Sequence, residues 1–99
     1  MYVMITATYP LNKQTEVTGI FCNIIESPPK PPVKHLCTLA RADLKSGMKV
    51  FTIMEVEEGK ECEGIQAIQQ SMIPYWSVEG YKYDIELMVD AVAWVQQQG

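Results

Sequence analysis

The sequence predicts an α+β fold in which two amphipathic helices pack on a four-stranded antiparallel sheet. Three observations carry that prediction. Four stretches are rich in β-branched and aromatic residues. Two others repeat apolar residues at helical spacing. The order of the six is strand, helix, strand, then strand, helix, strand.

Residues 2–9 (Tyr-Val-Met-Ile-Thr-Ala-Thr-Tyr) form the first predicted strand, which stops at Pro10. One face carries Val3, Ile5 and Ala7, the other Tyr2, Met4, Thr6 and Thr8. Asn12 is the expected N-cap of the first helix, because its side-chain oxygen can accept an orphan N–H. Val17, Ile20, Phe21, Ile24 and Ile25 then form a stripe at helical spacing. Gly19 interrupts it at a cost of up to about 1 kcal/mol of helix propensity, which predicts a close approach there. The helix is expected to stop near Ser27, since Ser-Pro-Pro-Lys-Pro-Pro follows and favours an extended, polyproline-like link.

Residues 33–43 read as the second strand, although their alternation is imperfect. Lys45-Ser46-Gly47 signals a turn, and residues 48–57 read as the third strand, so the pair is expected to form an antiparallel hairpin. Cys62, Ile65, Ile68 and Met72 recur at helical spacing up to Pro74. An aromatic loop, Tyr75 to Gly80, leads to a strictly alternating segment over residues 81–89, with Tyr81, Tyr83, Ile85 and Leu87 on one face. Asp90 is placed to cap a short helix from Ala91 to Gln97, and further strand over 90–95 is the competing expectation. The βαββαβ order matches the ferredoxin-like pattern, in which right-handed crossovers put both helices on one face.

The length of 99 residues allows one domain, spanning 1–99, and one core. The net charge of −4, with lysines and arginines scattered, argues against nucleic acid and against an anionic membrane surface. No apolar run approaches the roughly 20 residues that span a bilayer, and the first ten residues lack the features of a secretory leader. Cys22, Cys37 and Cys62 are odd in number and widely spaced, with one histidine in the chain. That disfavours a disulfide framework or a zinc site and fits reduced thiols in a cytoplasmic protein. No phosphate-loop, dinucleotide, zinc-peptidase or nucleophile-elbow motif occurs, so no cofactor is implied.

Two helices cover one face of a sheet. Met4 lies opposite Val3 and Ile5, and Val50, Met54 and Val56 lie opposite Phe51 and Ile53, so both faces carry apolar residues. An uncovered apolar face predicts an interface, most simply a two-fold homodimer with bare sheets face to face. The element order, the bare sheet and the short final helix resemble the dimeric α/β barrel superfamily. The segment Val78-Glu79-Gly80-Tyr81-Lys82-Tyr83-Asp84-Ile85-Glu86 is similar to one in small bacterial members. The superfamily includes cofactor-free monooxygenases, muconolactone-isomerase-like enzymes and stress-responsive barrel proteins. The resemblance implies a ligand between sheet and helices or inside the barrel, and assigns no reaction.

His35 is the one imidazole, and simple alternation sets it on a face with Cys37, Leu39 and Arg41. There His35 would serve as a general base and Arg41 would hold an enolate or carboxylate; an exposed strand histidine is the plainer alternative. Asp84 and Glu86 share a strand face and would neighbour Tyr2, Thr6 or Thr8 if the fourth strand lies beside the first. A buried carboxylate there would be a base; a solvated face explains it equally. Trp76, in the aromatic loop, is a pocket or interface candidate, and Tyr83 a core residue. Cys22 and Cys62 are expected on apolar helix stripes, inert. Three functions remain open. The first is a homodimeric module binding a small apolar or aromatic metabolite, with Tyr2, Thr6, Trp76 and Glu86 as contacts. The second is a cofactor-free monooxygenase- or isomerase-like enzyme using His35, Arg41 and Asp84. The third is a structural dimerisation domain.

Overall fold

A computed structural model describes residues 1–26, 30–43, 45 and 47–98. In chain order it contains β1 (Tyr2–Tyr9), a 3-10 turn (Leu11–Lys13), α1 (Gln14–Glu26), β2 (Val33–Asp43) and β3 (Gly47–Val56). These are followed by α2 (Glu61–Met72), a second 3-10 turn (Ile73–Ser77), β4 (Lys82–Met88) and α3 (Ala91–Gln98). The sheet is open and four-stranded, with order β2-β3-β1-β4 and every neighbouring pair antiparallel. The fold is therefore α+β, with three α-helices among the described residues.

β1 is central because its alternation serves two neighbours at once. Val3, Ile5, Ala7 and Tyr9 are buried toward the helices, while Tyr2, Met4, Thr6 and Thr8 are half-buried on the other face. β3 and β4 flank it, so its backbone donors and acceptors pair on both edges. β4 does lie beside β1, with Asp84 level with Thr6 and Glu86 with Met4. The hairpin of β2 and β3 forms as expected. Gly47 opens β3 at φ +89°, and a Cβ there would run into the Tyr9 carbonyl oxygen, so both the conformation and the space require glycine.

The two covering helices are seated differently. α2 buries Gly64, Ile68 and Met72. α1 buries Val17 alone, and Ile25 stays 60% exposed. One core joins Val17 and α2 to Val3, Ile5, Val33, Met54, Val56, Tyr75 and Val78. Among the described residues no charged side chain is buried. No helix among them is long and apolar enough to cross a membrane.

Several local expectations are corrected. Asn12 lies inside the 3-10 turn, closed by Lys13 N–H on the Pro10 carbonyl at 3.0 Å, so it does not cap α1. Gly19 meets nothing within 4 Å; the close glycine is Gly64, whose Cβ position collides with the Val56 side chain. The approach belongs to α2 because α2 is the helix that lies against the sheet. Ser27, Pro28 and Pro29 fall outside the described residues. Beyond them the chain turns, with Val33 N–H donating to the Lys30 carbonyl at 3.1 Å, so residues 30–33 are a turn and not an extended polyproline run. The aromatic loop begins as a 3-10 turn that buries Tyr75. Cys22 and Cys62 are exposed, since both lie off the narrow buried stripes of their helices; all three thiols are free.

At the C-terminus the helical alternative holds. The Asp90 carboxylate accepts from Val92 N–H at 2.9 Å and Ala93 N–H at 3.1 Å, which caps α3. Every residue from Ala91 to Gln97 is exposed, including Val92 at 67% and Trp94 at 53%.

The two glycines should respond oppositely to alanine. G19A adds helix propensity in open space and should raise stability by up to about 1 kcal/mol. G64A must displace Val56, which is 1% exposed in the core, and should lower stability by about 1–3 kcal/mol despite the same propensity gain. Urea midpoints for the two variants check both signs.

Candidate functional site

The unequal seating of the helices leaves space. In the middle of the floor the inward residues are small, namely Ala7 on β1, Thr38 and Ala40 on β2, and Val50 and Thr52 on β3, with Met48 and Met54 at its two ends. α1 stands above them on Val17, Phe21, Ile24 and Ile25 without filling the gap. The result is a cavity of about 670 Å³ between α1, the end of α2 and the sheet. That falls within the range of small-molecule sites. Among the described residues no Lys, Arg, Asp or Glu lines it.

Both ends of the cavity are organised. In the sheet register Tyr9 is level with Met48, while His35 is level with Met54, so they mark opposite ends of one stretch of β3. At the Tyr9 end three aromatic rings stack. Tyr81 lies 4.7 Å from Tyr75 and 5.8 Å from Tyr9 between ring centroids, at angles of 12° and 16°. Tyr9 Oη donates to Gln14 Oε1 at 2.7 Å, and Gln14 Nε2 donates to Thr18 Oγ1 at 3.2 Å, which ties α1 to β1. At the other end His35 Nε2 lies 2.7 Å from Thr38 Oγ1, which lies 3.2 Å from Thr52 Oγ1. These three side chains form a continuous polar relay along the cavity edge.

His35 reaches the cavity because β2 has a bulge. The register shifts between His35 and Cys37, with Leu36 as the extra residue. That inverts the alternation downstream. Thr38 and Ala40 point inward with His35, whereas Cys37, Leu39 and Arg41 fall on the bare face. The expected grouping of His35 with Cys37, Leu39 and Arg41 is therefore corrected, and a Cys37–His35 pair has no geometric basis.

The remaining candidates lie elsewhere. Tyr2, Thr6, Asp84 and Glu86 sit on the bare face, where Thr6 and Asp84 are cross-strand neighbours. Arg41 is on the same face but at the opposite edge of the sheet, on β2. Trp76 is 66% exposed in the second 3-10 turn, its Nε1–H donating to Tyr83 Oη at 2.9 Å. Of the named set, His35 alone lines the cavity. Sequence patterning did not single out Thr38, Thr52, Tyr9, Gln14 or Phe21. No periodic signal marked the threonines. Val33 and Ala40 are an odd number of residues apart, so they share an inward face only across an inserted residue.

The tyrosine stack changes the acidity of its members. Burial pushes the Tyr75 phenol up to about 12, with the Tyr9 charge adding to it. Burial likewise raises Tyr81, helped by Tyr75, Tyr9 and Tyr83, and burial raises Tyr9. A phenol whose folded value lies above its unfolded value of 10.0 keeps its proton in the folded state after the unfolded state has lost it. Stability should therefore be level with respect to these groups below about pH 10 and fall as pH rises toward 12. Y75F should shallow that alkaline decline, as read by denaturant midpoints across the window, with phenolate absorbance following the ionisation. Comparison of the chain with protein-family models, with curated proteins and with solved structures finds no match in any of the three.

Proposed function

We propose that this chain is a small-molecule-binding module that takes an apolar or aromatic metabolite between α1 and the sheet. The cavity carries this proposal: about 670 Å³, walled mostly by aliphatic and aromatic side chains, with two short polar relays, Ser71 and the tyrosine hydroxyls as its polar groups. Binding without chemistry is preferred to a cofactor-free monooxygenase or isomerase. His35 stands at the cavity, while Arg41 and Asp84 lie across the sheet from it. A purely structural dimerisation domain would have no use for the unfilled volume.

We further propose a ferredoxin-like protomer of the dimeric α/β barrel kind, paired with a second copy through the bare sheet. The element order and the pairing of β4 with β1 support the first part. The second rests on the composition of the face. Met4, Phe51, Ile53 and Leu39 form its middle, and Leu39 is 62% exposed. The β2 side adds Lys34, Arg41 and Asp43, basic on balance, and the β4 side Lys82, Asp84 and Glu86, acidic on balance. A two-fold axis running along the strands would lay the basic edge of one copy over the acidic edge of the other.

Two measurements test these proposals. Native mass spectrometry of the purified protein should show a retained ligand or saturable uptake of an apolar probe. V50F, which fills the cavity floor, should abolish that uptake while the fold persists by circular dichroism; unchanged uptake would place the ligand elsewhere. Light scattering at tens of micromolar should report a dimer that F51E converts to a monomer. A monomeric parent protein would remove the face-to-face pairing and leave the cavity proposal standing.

A further inference from the structure

We infer that the ligand of this cavity is a neutral ring compound with one hydroxyl or carbonyl oxygen, held by the Thr52 end of the His35–Thr38–Thr52 relay. This rests on the binding proposal above and specifies the ligand's chemistry.

The absence of charge follows from the walls. Among the described residues no ammonium, guanidinium or carboxylate lines the cavity, so an ionised ligand would give up part of its hydration there without a counter-ion. A hydrocarbon would satisfy the apolar walls but would use none of the hydrogen-bonding capacity that the Thr52 hydroxyl keeps beyond its bond with Thr38. A ring body matches the tyrosines, whose near-parallel stack closes the far end.

The single oxygen follows from how the relay can be polarised. Thr38 has one hydroxyl proton and two neighbours, His35 Nε2 at 2.7 Å and Thr52 Oγ1 at 3.2 Å. If His35 Nε2 carries its proton, it donates to Thr38, Thr38 donates to Thr52, and the Thr52 hydroxyl proton is free for a ligand carbonyl. If Nε2 is bare, every bond reverses, and Thr52 offers lone pairs to a ligand hydroxyl. The histidine thus lets one threonine serve as donor or acceptor, and it does so without placing a fixed charge in the cavity. Thr52 lies on the floor opposite Ile5, four positions along β3 from Met48 at the tyrosine end. At the rise of a strand that separation is roughly 13 Å, enough for a ring system lying between the two ends.

The test compares naphthalene, naphthol and naphthoate, three probes of one shape, by ligand-observed NMR titration. In the parent protein naphthol should bind about five-fold tighter than naphthalene, as one net hydrogen bond allows, and naphthoate should bind weakest. T52V is isosteric and should remove the naphthol preference, while naphthalene binds at least as tightly as to the parent and circular dichroism shows the fold intact. T38V, which cuts the relay in the middle, should reduce the preference. If naphthol keeps its advantage in T52V, or if naphthoate binds best, the assignment to a neutral oxygen at Thr52 is overturned and the cavity proposal stands. If neither naphthalene nor naphthol binds, the cavity proposal falls and this inference with it.

Discussion

The seat of α2 on β3 is the contact on which the other features depend. Gly64 has no side chain, so the helix backbone comes down onto Val56, one of the least exposed residues in the protein. Ile68 and Met72 follow along the same face into the core with Val3 and Ile5. α1 has no such glycine on its inner face and rests on Val17. One helix is thus pressed to the sheet and the other held off it. The small inward residues beneath α1 do not make up the difference. Close packing is the ordinary condition of a protein interior, so an unfilled volume of this size asks for an occupant.

The parts of the fold that were legible in the sequence are those where one periodicity runs unbroken. β1 alternates over its whole length. The Cys62–Met72 stripe predicts α2, and Asp90 marks the start of α3. The parts that were not legible depend on a single residue. Leu36, inserted in β2, moves His35 to one face and Arg41 to the other, and thereby dissolves the sequence-based catalytic pairing. The choice between Gly19 and Gly64 as the contact glycine is equally hidden, because both interrupt helices of similar amphipathicity. Only the distance between helix and sheet distinguishes them. The cavity was illegible for a related reason. Small residues on a strand fit beneath a close helix and a distant one alike, and no local pattern records which is present.

The sheet separates two roles. The helix-covered face has the cavity, its tyrosines and its threonine–histidine relay. The bare face has the apolar centre with Lys49 over the Phe51 ring, along with an edge acidic on balance at β4 and an edge basic on balance at β2. Most of the polar candidates found by sequence lie on this second face. Arg41, Asp84 and Glu86 are exposed and Tyr2 and Thr6 half-buried, a setting that does not enclose a small molecule. α3 extends the same argument beyond the sheet, since its valines and tryptophan are exposed and contribute nothing to the core.

A ligand in the cavity would also change what holds α1. This helix is fixed by Val17, by half-buried Ile20, Phe21 and Ile24, and by the Tyr9–Gln14–Thr18 chain near its start. Its inner apolar surface faces space. An apolar occupant would give Phe21, Ile24 and Ile25 the contacts that the sheet floor does not reach, so ligand binding and helix docking are the same free energy seen from two sides. The stand-off of α1 is then the condition that makes binding favourable. A tighter sequence, with larger residues at Ala7, Ala40 or Val50, would yield a better-packed protomer with nothing left for a ligand to complete.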